Sequence, residues 1–83
     1  MLVLRFKRSA EKELLGLPAR EQKRLGEQLL ALRENPFPHG CAKLQGRDGH
    51  RIRYGDYRAI YRVDVEAGTV TVMAIGHRRD VYR

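Results

Sequence analysis

Three strand-like runs joined by two very short links occupy the second half of the sequence and limit the folds that the chain can adopt. The runs cover residues 50–54, 57–65 and 69–75, and the links between them are Gly55-Asp56 and Glu66-Ala67-Gly68. Links this short join antiparallel neighbours, because a parallel connection needs a much longer crossover. The second half therefore predicts an antiparallel meander.

The first half predicts one strand followed by two helices. Residues 2–7, LVLRFK, alternate in the manner of a strand, and AEKELLGL at residues 10–17 is typical of a short helix. A second helix begins at Pro18 and ends before Asn35-Pro36-Phe37-Pro38. Its predicted buried stripe, at spacings of four and three residues, is Leu25, Leu29 and Leu32.

The element order β-α-α-β-β-β predicts an α+β fold for the whole chain. We expect an antiparallel, curled sheet with the two N-terminal helices packed on one face, and a loop at residues 39–49 before the meander. A length of 83 residues suits a single domain, covering residues 1–83.

The turn at Gly55-Asp56 predicts which side chains share a face of the sheet. A two-residue turn places Tyr54 opposite Tyr57 and Arg53 opposite Arg58, and opposite residues project from the same side. One face then has a core-like composition. The other face, called the arginine face below, carries Arg51, Arg53, Arg58, Ile60 and Arg62.

The arginine face indicates an anionic partner. Like charges directly opposite each other destabilise a sheet by a few tenths to about 1 kcal/mol, so stability alone does not favour the Arg53–Arg58 pair. Arginine binds phosphate well because its planar fork donates two parallel hydrogen bonds. The alternative is an ordinary solvated face, partly neutralised by Asp48, Asp56 or Asp64.

The charge balance of the whole chain agrees with a polyanionic partner. Lys and Arg number 17 against 10 for Asp and Glu, a formal net charge of +7. Nucleic acid is the first candidate partner and an acidic protein is the second. We expect no membrane partner, because the sequence contains no basic amphipathic helix with a bulky apolar face and no long apolar run.

The numbers and spacing of cysteine, histidine, carboxylate and glycine residues exclude several kinds of site. Cys41 is the only cysteine, so no internal disulfide can form, which fits the reducing cytoplasm as the expected location. No Cys/His spacing predicts zinc, no carboxylate cluster predicts magnesium, and no glycine-rich phosphate loop precedes a helix. We expect neither a metal nor another cofactor.

The C-terminal stretch GHRRDVYR adds basic and aromatic groups after the last predicted strand. His77, Arg78, Arg79 and Tyr82 fall within six residues. Cations for the backbone and a ring for stacking are what single-stranded RNA requires. The alternative for Tyr82 is a ring that packs the tail onto the sheet.

Nearly the whole chain resembles the RelE/ParE superfamily of toxins from toxin–antitoxin pairs, and it is most similar to the RelE branch. The motifs that carry the resemblance are G-D-Y-R-x-I-Y at residues 55–61 and G-H-R-x-D-V-Y at residues 76–82. The resemblance implies a microbial-ribonuclease-like fold and a toxin that enters the ribosomal A site and cuts mRNA without a metal. It also implies attack by the RNA 2′-hydroxyl, a 2′,3′-cyclic phosphate product, and a cognate antitoxin as inhibitor.

By position, the resemblance implies roles for individual residues. Arg58 and Arg78 would hold the scissile phosphate, Arg51 and Arg53 the flanking phosphates, and Tyr82 would stack on a base. Lys43, Arg62 and Arg79 are further RNA-binding candidates, and His77 is a candidate general base because of its intrinsic pKa near 6.5. His50 and His39 are weaker candidates.

Two departures from the family pattern leave alternatives open. Known members carry lysine where this chain has Arg51 and Arg53, and arginine is a poor general base. The chain also stops at Arg83, without the final helix of some members. The alternative functions are a ParE-like gyrase inhibitor and a degenerate toxin that binds antitoxin or RNA without cleavage. The antitoxin would bind either the arginine face or an apolar groove beside the helices.

Overall fold

The hairpin predicted at Gly55-Asp56 forms the centre of the sheet. The computed structural model describes residues 1–77, and in it β3 (His50–Tyr54) pairs antiparallel with β4 (Tyr57–Asp64). Tyr54 lies opposite Tyr57 and Arg53 lies opposite Arg58, as the turn length predicts. Gly55 has a φ of 58°, a value that favours glycine at the first position of such a turn.

The remaining elements confirm the α+β class. They are β1 (Val3–Phe6), α1 (Arg8–Leu15), α2 (Ala19–Ala31), the short β2 (Ala42–Lys43) and β5 (Thr69–His77). The strands form one sheet in the order β1-β5-β4-β3-β2. No helix within residues 1–77 is long and apolar enough to cross a membrane.

The sheet differs from the predicted one in three respects. β1 pairs parallel with β5, so the sheet is mixed rather than wholly antiparallel. The predicted loop at residues 39–49 contains β2, which pairs with the outer edge of β3. β5 continues through Gly76 and His77, because β4 begins at Tyr57 and pairs with β5 over its full length.

Both helices pack on one side of the sheet, which we call the helix face. Leu25, Leu29 and Leu32 are buried, as predicted, and contact sheet residues of the same core. The sheet contributes Ile52, Ala59, Tyr61, Val70, Val72 and Ile75 to this core. The buried side chains of β4 and β5 therefore alternate with side chains that project to the arginine face.

A hydrogen bond from Tyr61 holds the segment after α2 against the centre of the sheet. The Tyr61 hydroxyl donates this hydrogen bond of 2.7 Å to the Pro36 carbonyl oxygen. Burial, and to a lesser extent the neighbouring Cys41 thiol, raises the pKa of the Tyr61 phenol. The hydroxyl therefore remains a neutral donor, and the backbone that leads to β2 is held against β4.

Candidate nucleic-acid interface

The predicted arginine face is present in the structure. The β3–β4 register places Arg51 opposite Ile60 and Arg53 opposite Arg58, so these side chains project from one side. Arg51 and Arg58 are half-buried, whereas Arg53 and Arg62 are exposed. The Nε atom of Arg58 is buried, which shows that the stem of this side chain lies against the protein.

A small apolar cluster lies among the arginines. Ile60 and Leu44 are buried there, and Met73 and Ala74 pack against them. This cluster is separate from the core under the helices. Ile60 lies between Arg58 and Arg62 along β4 and opposite Arg51 on β3, so these arginines border an apolar floor.

A β-bulge decides which side chains of β5 reach the arginine face. Tyr61 pairs with Val72 but Ile60 pairs with Ala74, so Met73 is an extra residue on β5. The extra residue shifts the alternation of the strand by one position. Gly76 consequently lies opposite Arg58, and His77 lies opposite Tyr57 on the helix face.

The structure does not bring His77 or Lys43 to the arginine face. The His77 ring contacts Tyr57 edge-on, with 6.2 Å between ring centroids. Lys43 pairs with His50, and the His50 ring contacts Phe37 and Tyr61, so both residues belong to the other side of the sheet. His39 is exposed and lines a cleft that Arg53 shares. Arg78, Arg79 and Tyr82 lie outside the described residues.

Arg5 and Lys7 are basic residues of this face that the sequence reasoning missed. Arg5 pairs with Thr71, which pairs with Arg62 on the next strand. Lys7, two residues further, lines an open cleft of about 550 Å³ together with Arg62. The alternation of LVLRFK separates Arg5 and Lys7 from the buried positions, but only the parallel pairing with β5 shows which face they join.

Asp48 neutralises part of the face, as the alternative interpretation expected. Its carboxylate accepts hydrogen bonds from Arg62 Nε at 3.1 Å and Nη2 at 2.9 Å. The next residue, Gly49, lies close to β4, where a Cβ would be only 3.0 Å from the Tyr61 carbonyl oxygen. Asp48 therefore neutralises charge at the Arg62 end of the face.

Replacement of Asp48 by asparagine is expected to strengthen binding of single-stranded RNA. The gain should not exceed about fivefold, since an exposed ion pair contributes up to about 1 kcal/mol. Filter binding over a range of salt concentrations measures the effect, and one more phosphate contact should steepen the salt dependence. Glu34→Gln removes the same charge from an exposed position after α2. Equal gains in both variants would show that only net charge matters.

A metal site and a second binding surface are the other features for which the described residues can be searched. Within residues 1–77, no group of three or more His, Cys, Asp or Glu side chains is placed to hold a metal ion. A groove of about 570 Å³ beside the helices has apolar walls that include Leu4, Phe6, Leu14 and Leu30. Both surfaces expected for an antitoxin, the arginine face and a groove beside the helices, are therefore present.

Comparisons with known proteins identify the family. Residues 4–82 match the family model described as ParE toxin of the type II toxin-antitoxin system parDE. Toxin RelG of Mycobacterium tuberculosis is 48% identical over 31 residues, a match that spans 37% of this chain and only 36% of RelG.

Solved structures of toxin–antitoxin complexes share the fold over almost the whole chain. The toxin of the intact Escherichia coli RelBE complex aligns with a TM-score of 0.82 and 29% identity, over 93% of this chain and 96% of that chain. The archaeal RelE–RelB complex from Pyrococcus horikoshii aligns with a TM-score of 0.83 and 27% identity, over 96% of this chain and 98% of that chain. The chain therefore belongs to the ParE toxin family of type II toxin–antitoxin systems, and within the RelE/ParE superfamily it is RelE-like.

Proposed function

We propose that this toxin is an endoribonuclease that cuts mRNA in the ribosomal A site and thereby inhibits translation in the cytoplasm. The observation that carries the proposal is the arginine face, with Arg58 and Arg53 directly opposite each other beside Arg51. Like charges at directly opposite positions of a sheet cost stability, and a bound anion offsets that cost. The adjacent phosphates of an RNA strand supply such anions.

The proposed reaction is an attack of one RNA hydroxyl on the neighbouring phosphate. The 2′-oxygen forms a bond to phosphorus and loses its proton, while the bond from phosphorus to the 5′-oxygen breaks and that oxygen gains a proton. The products are a 2′,3′-cyclic phosphate and a 5′-hydroxyl. Arg58 and Arg78 would stabilise the additional negative charge of the pentacoordinate transition state, since fixed cations in a preorganised site are an effective source of catalysis.

The other predicted residues would position the RNA. Arg51 and Arg53 would bind the flanking phosphates, and Tyr82 would stack on a base and hold the 2′-hydroxyl in line. His77 would not act as the general base, because it lies opposite Tyr57 on the helix face. Orientation of the RNA by the ribosome, together with the arginine charges, would then supply most of the rate enhancement.

An antitoxin is the partner proposed to control this activity. The support is that the chain resembles toxins crystallised in RelBE and RelE–RelB complexes, and that its net charge of +7 favours an acidic protein. The apolar groove beside the helices offers a surface that an antitoxin could occupy without competing for the arginines. The antitoxin would then compete with the ribosome and mRNA only if the antitoxin also covers the arginine face.

A single 2′-deoxy substitution in the mRNA tests the proposed chemistry. Placed on the nucleotide before the scissile phosphate, it removes the attacking oxygen and should abolish the cut at that position. The same substitution one codon away serves as the control and should leave the cut unchanged. Persistent cleavage of the substituted mRNA, or products that carry a 5′-phosphate, would contradict attack by the 2′-hydroxyl.

A further inference from the structure

A cleft of about 540 Å³ lies between α2, the loop before β2 and the end of β3, and we call it the edge cleft. Its lining includes Gln28, Leu32, Asn35, His39, Gly40 and Arg53. Arg53 also belongs to the arginine face, so the edge cleft adjoins the residues proposed to bind RNA.

A tight turn produces this cleft. β2 pairs with the outer edge of β3 only from Ala42 onward. Just before it, the Cys41 amide donates a hydrogen bond of 3.0 Å to the Pro38 carbonyl oxygen, and Gly40 has a φ of 92°. These are the features of a type II turn, which requires glycine or asparagine where φ is positive. The turn carries the chain away from β3, so a gap remains beside Arg53.

The backbone of Arg53 directs a hydrogen-bond donor and an acceptor toward this gap. The two-residue turn makes the residues beside it a hydrogen-bonded pair, so the next pair, Arg53 and Arg58, is a non-hydrogen-bonded one. The N–H and C=O groups of Arg53 therefore point away from β4. The same alternation directs the Gly49 carbonyl oxygen away from β4, where it accepts a hydrogen bond from the Leu44 amide at 3.0 Å.

The lining of the edge cleft combines apolar surface with amide groups and a ring. Leu32 and Ile52 are buried and supply the apolar surface. The exposed side chains of Gln28 and Asn35 supply amide donors and acceptors, and His39 supplies an imidazole ring. Recognition of an unstacked RNA base requires these groups, because a ring stacks on the base and polar groups bind its edge.

The charge of the edge cleft favours a nucleotide over a basic ligand. Among the described residues that line it, Arg53 carries the formal charge and none is acidic. The cleft beside Arg62 differs in this respect, because three carboxylate side chains also line it. A phosphate bound by Arg53 therefore brings the attached nucleoside to the edge cleft.

We propose that the edge cleft binds one base of the mRNA, next to the phosphate held by Arg53, and that cleavage depends on the identity of this base. The inference rests on the proposed ribonuclease function. The Watson–Crick edge of every RNA base carries a donor and an acceptor, which the Arg53 backbone can bind. The amides of Gln28 and Asn35 then distinguish one base from another, and the His39 ring covers it.

Titration of the isotope-labelled chain with the four nucleoside 5′-monophosphates, followed by NMR, tests the edge cleft without any cleavage. We expect the side-chain amide signals of Gln28 and Asn35 to shift with a nucleotide but not with inorganic phosphate. Gln28→Leu should raise the Kd for the preferred nucleotide at least about fivefold, the lower limit for a bidentate contact to a base. Because Gln28 is exposed, this variant should fold normally.

Gln22→Leu is the matched control, because it makes the same change on the same helix but lines the groove beside β1. Both variants are then compared for cleavage of mRNAs that differ in single bases of the A-site codon. We expect the unmodified chain and Gln22→Leu to prefer the same base by at least about fivefold in kcat/KM. Gln28→Leu should cut all of these mRNAs at similar rates.

Several results would overturn the edge cleft as a base site while leaving the proposed function intact. Nucleotide-induced shifts confined to the arginine face would do so, as would an unchanged base preference in Gln28→Leu or an equal loss in Gln22→Leu. Loss of antitoxin binding alone in Gln28→Leu would show that the edge cleft serves a protein partner instead. Nucleotide binding at the edge cleft without cleavage by the unmodified chain would contradict the proposed function, and with it the dependence of cleavage on this base.

Discussion

Replacement of Arg58 by alanine should lower the rate of mRNA cleavage by about 10²- to 10³-fold, the loss found when one donor to a transition-state oxyanion is removed. Arg58 lies on the central strand β4, opposite Arg53 on β3 and Gly76 on β5. Its Nε atom is buried, so the stem of the side chain lies against the protein. The rate of cleavage under single-turnover conditions reports the effect on the chemical step.

Two further variants separate charge from geometry at this position. Arg58→Lys keeps the positive charge but loses the planar fork, and we expect a rate between those of the unmodified chain and the alanine variant. Arg24→Ala removes an exposed arginine from α2, on the side of the sheet away from the arginine face. Equal losses in Arg24→Ala and Arg58→Ala would show that general attraction, and not the position of Arg58, determines the rate.

Replacement of Leu29 by alanine should produce a large loss of stability. Leu29 has no exposed surface and packs between α2 and the sheet. Truncation of such a leucine costs about 2–5 kcal/mol, through lost burial and the cavity that remains. A chain of this size buries only about 60–65% of its unfolded surface, so this loss is a large part of its stability.

Leu30 provides the control for this prediction, because it is the next residue of the same helix and is 47% exposed. Leu30→Ala should cost less than about 1 kcal/mol, as is usual for surface substitutions. Denaturant titration measures both free energies of unfolding, and the thermal midpoint of Leu29→Ala should fall by at least about 8 °C. Similar losses at the two positions would contradict the assignment of Leu29 to the core and Leu30 to the surface.

The centre of the site could be predicted from sequence because it depends on one local turn. Gly55-Asp56 sets the register of β3 and β4, and a period of two then assigns Arg51, Arg53 and Arg58 to one face. The leucine stripe of α2 is similarly local, since its spacing matches the helical period. In both cases the structure confirms the prediction.

Features that depend on distant pairing could not be predicted in the same way. Nothing in LVLRFK indicates that β1 lies parallel to β5, so the contribution of Arg5 was missed. β2 has two residues and is too short to show a period. The bulge at Met73 reverses the sides taken by Gly76 and His77, and no residue of TVTVMAIGH indicates where an extra position falls.

Cleavage mapping of a defined mRNA on programmed ribosomes, read by primer extension, tests the central claim most directly. The claim predicts cuts within the A-site codon that require ribosomes, are absent from naked RNA, and disappear with Arg58→Ala and Arg78→Ala. Intact mRNA at high toxin concentration, with ribosomes and a folded chain present, would contradict it. The arginine face would then be a docking surface, and gyrase inhibition would be the activity to measure next.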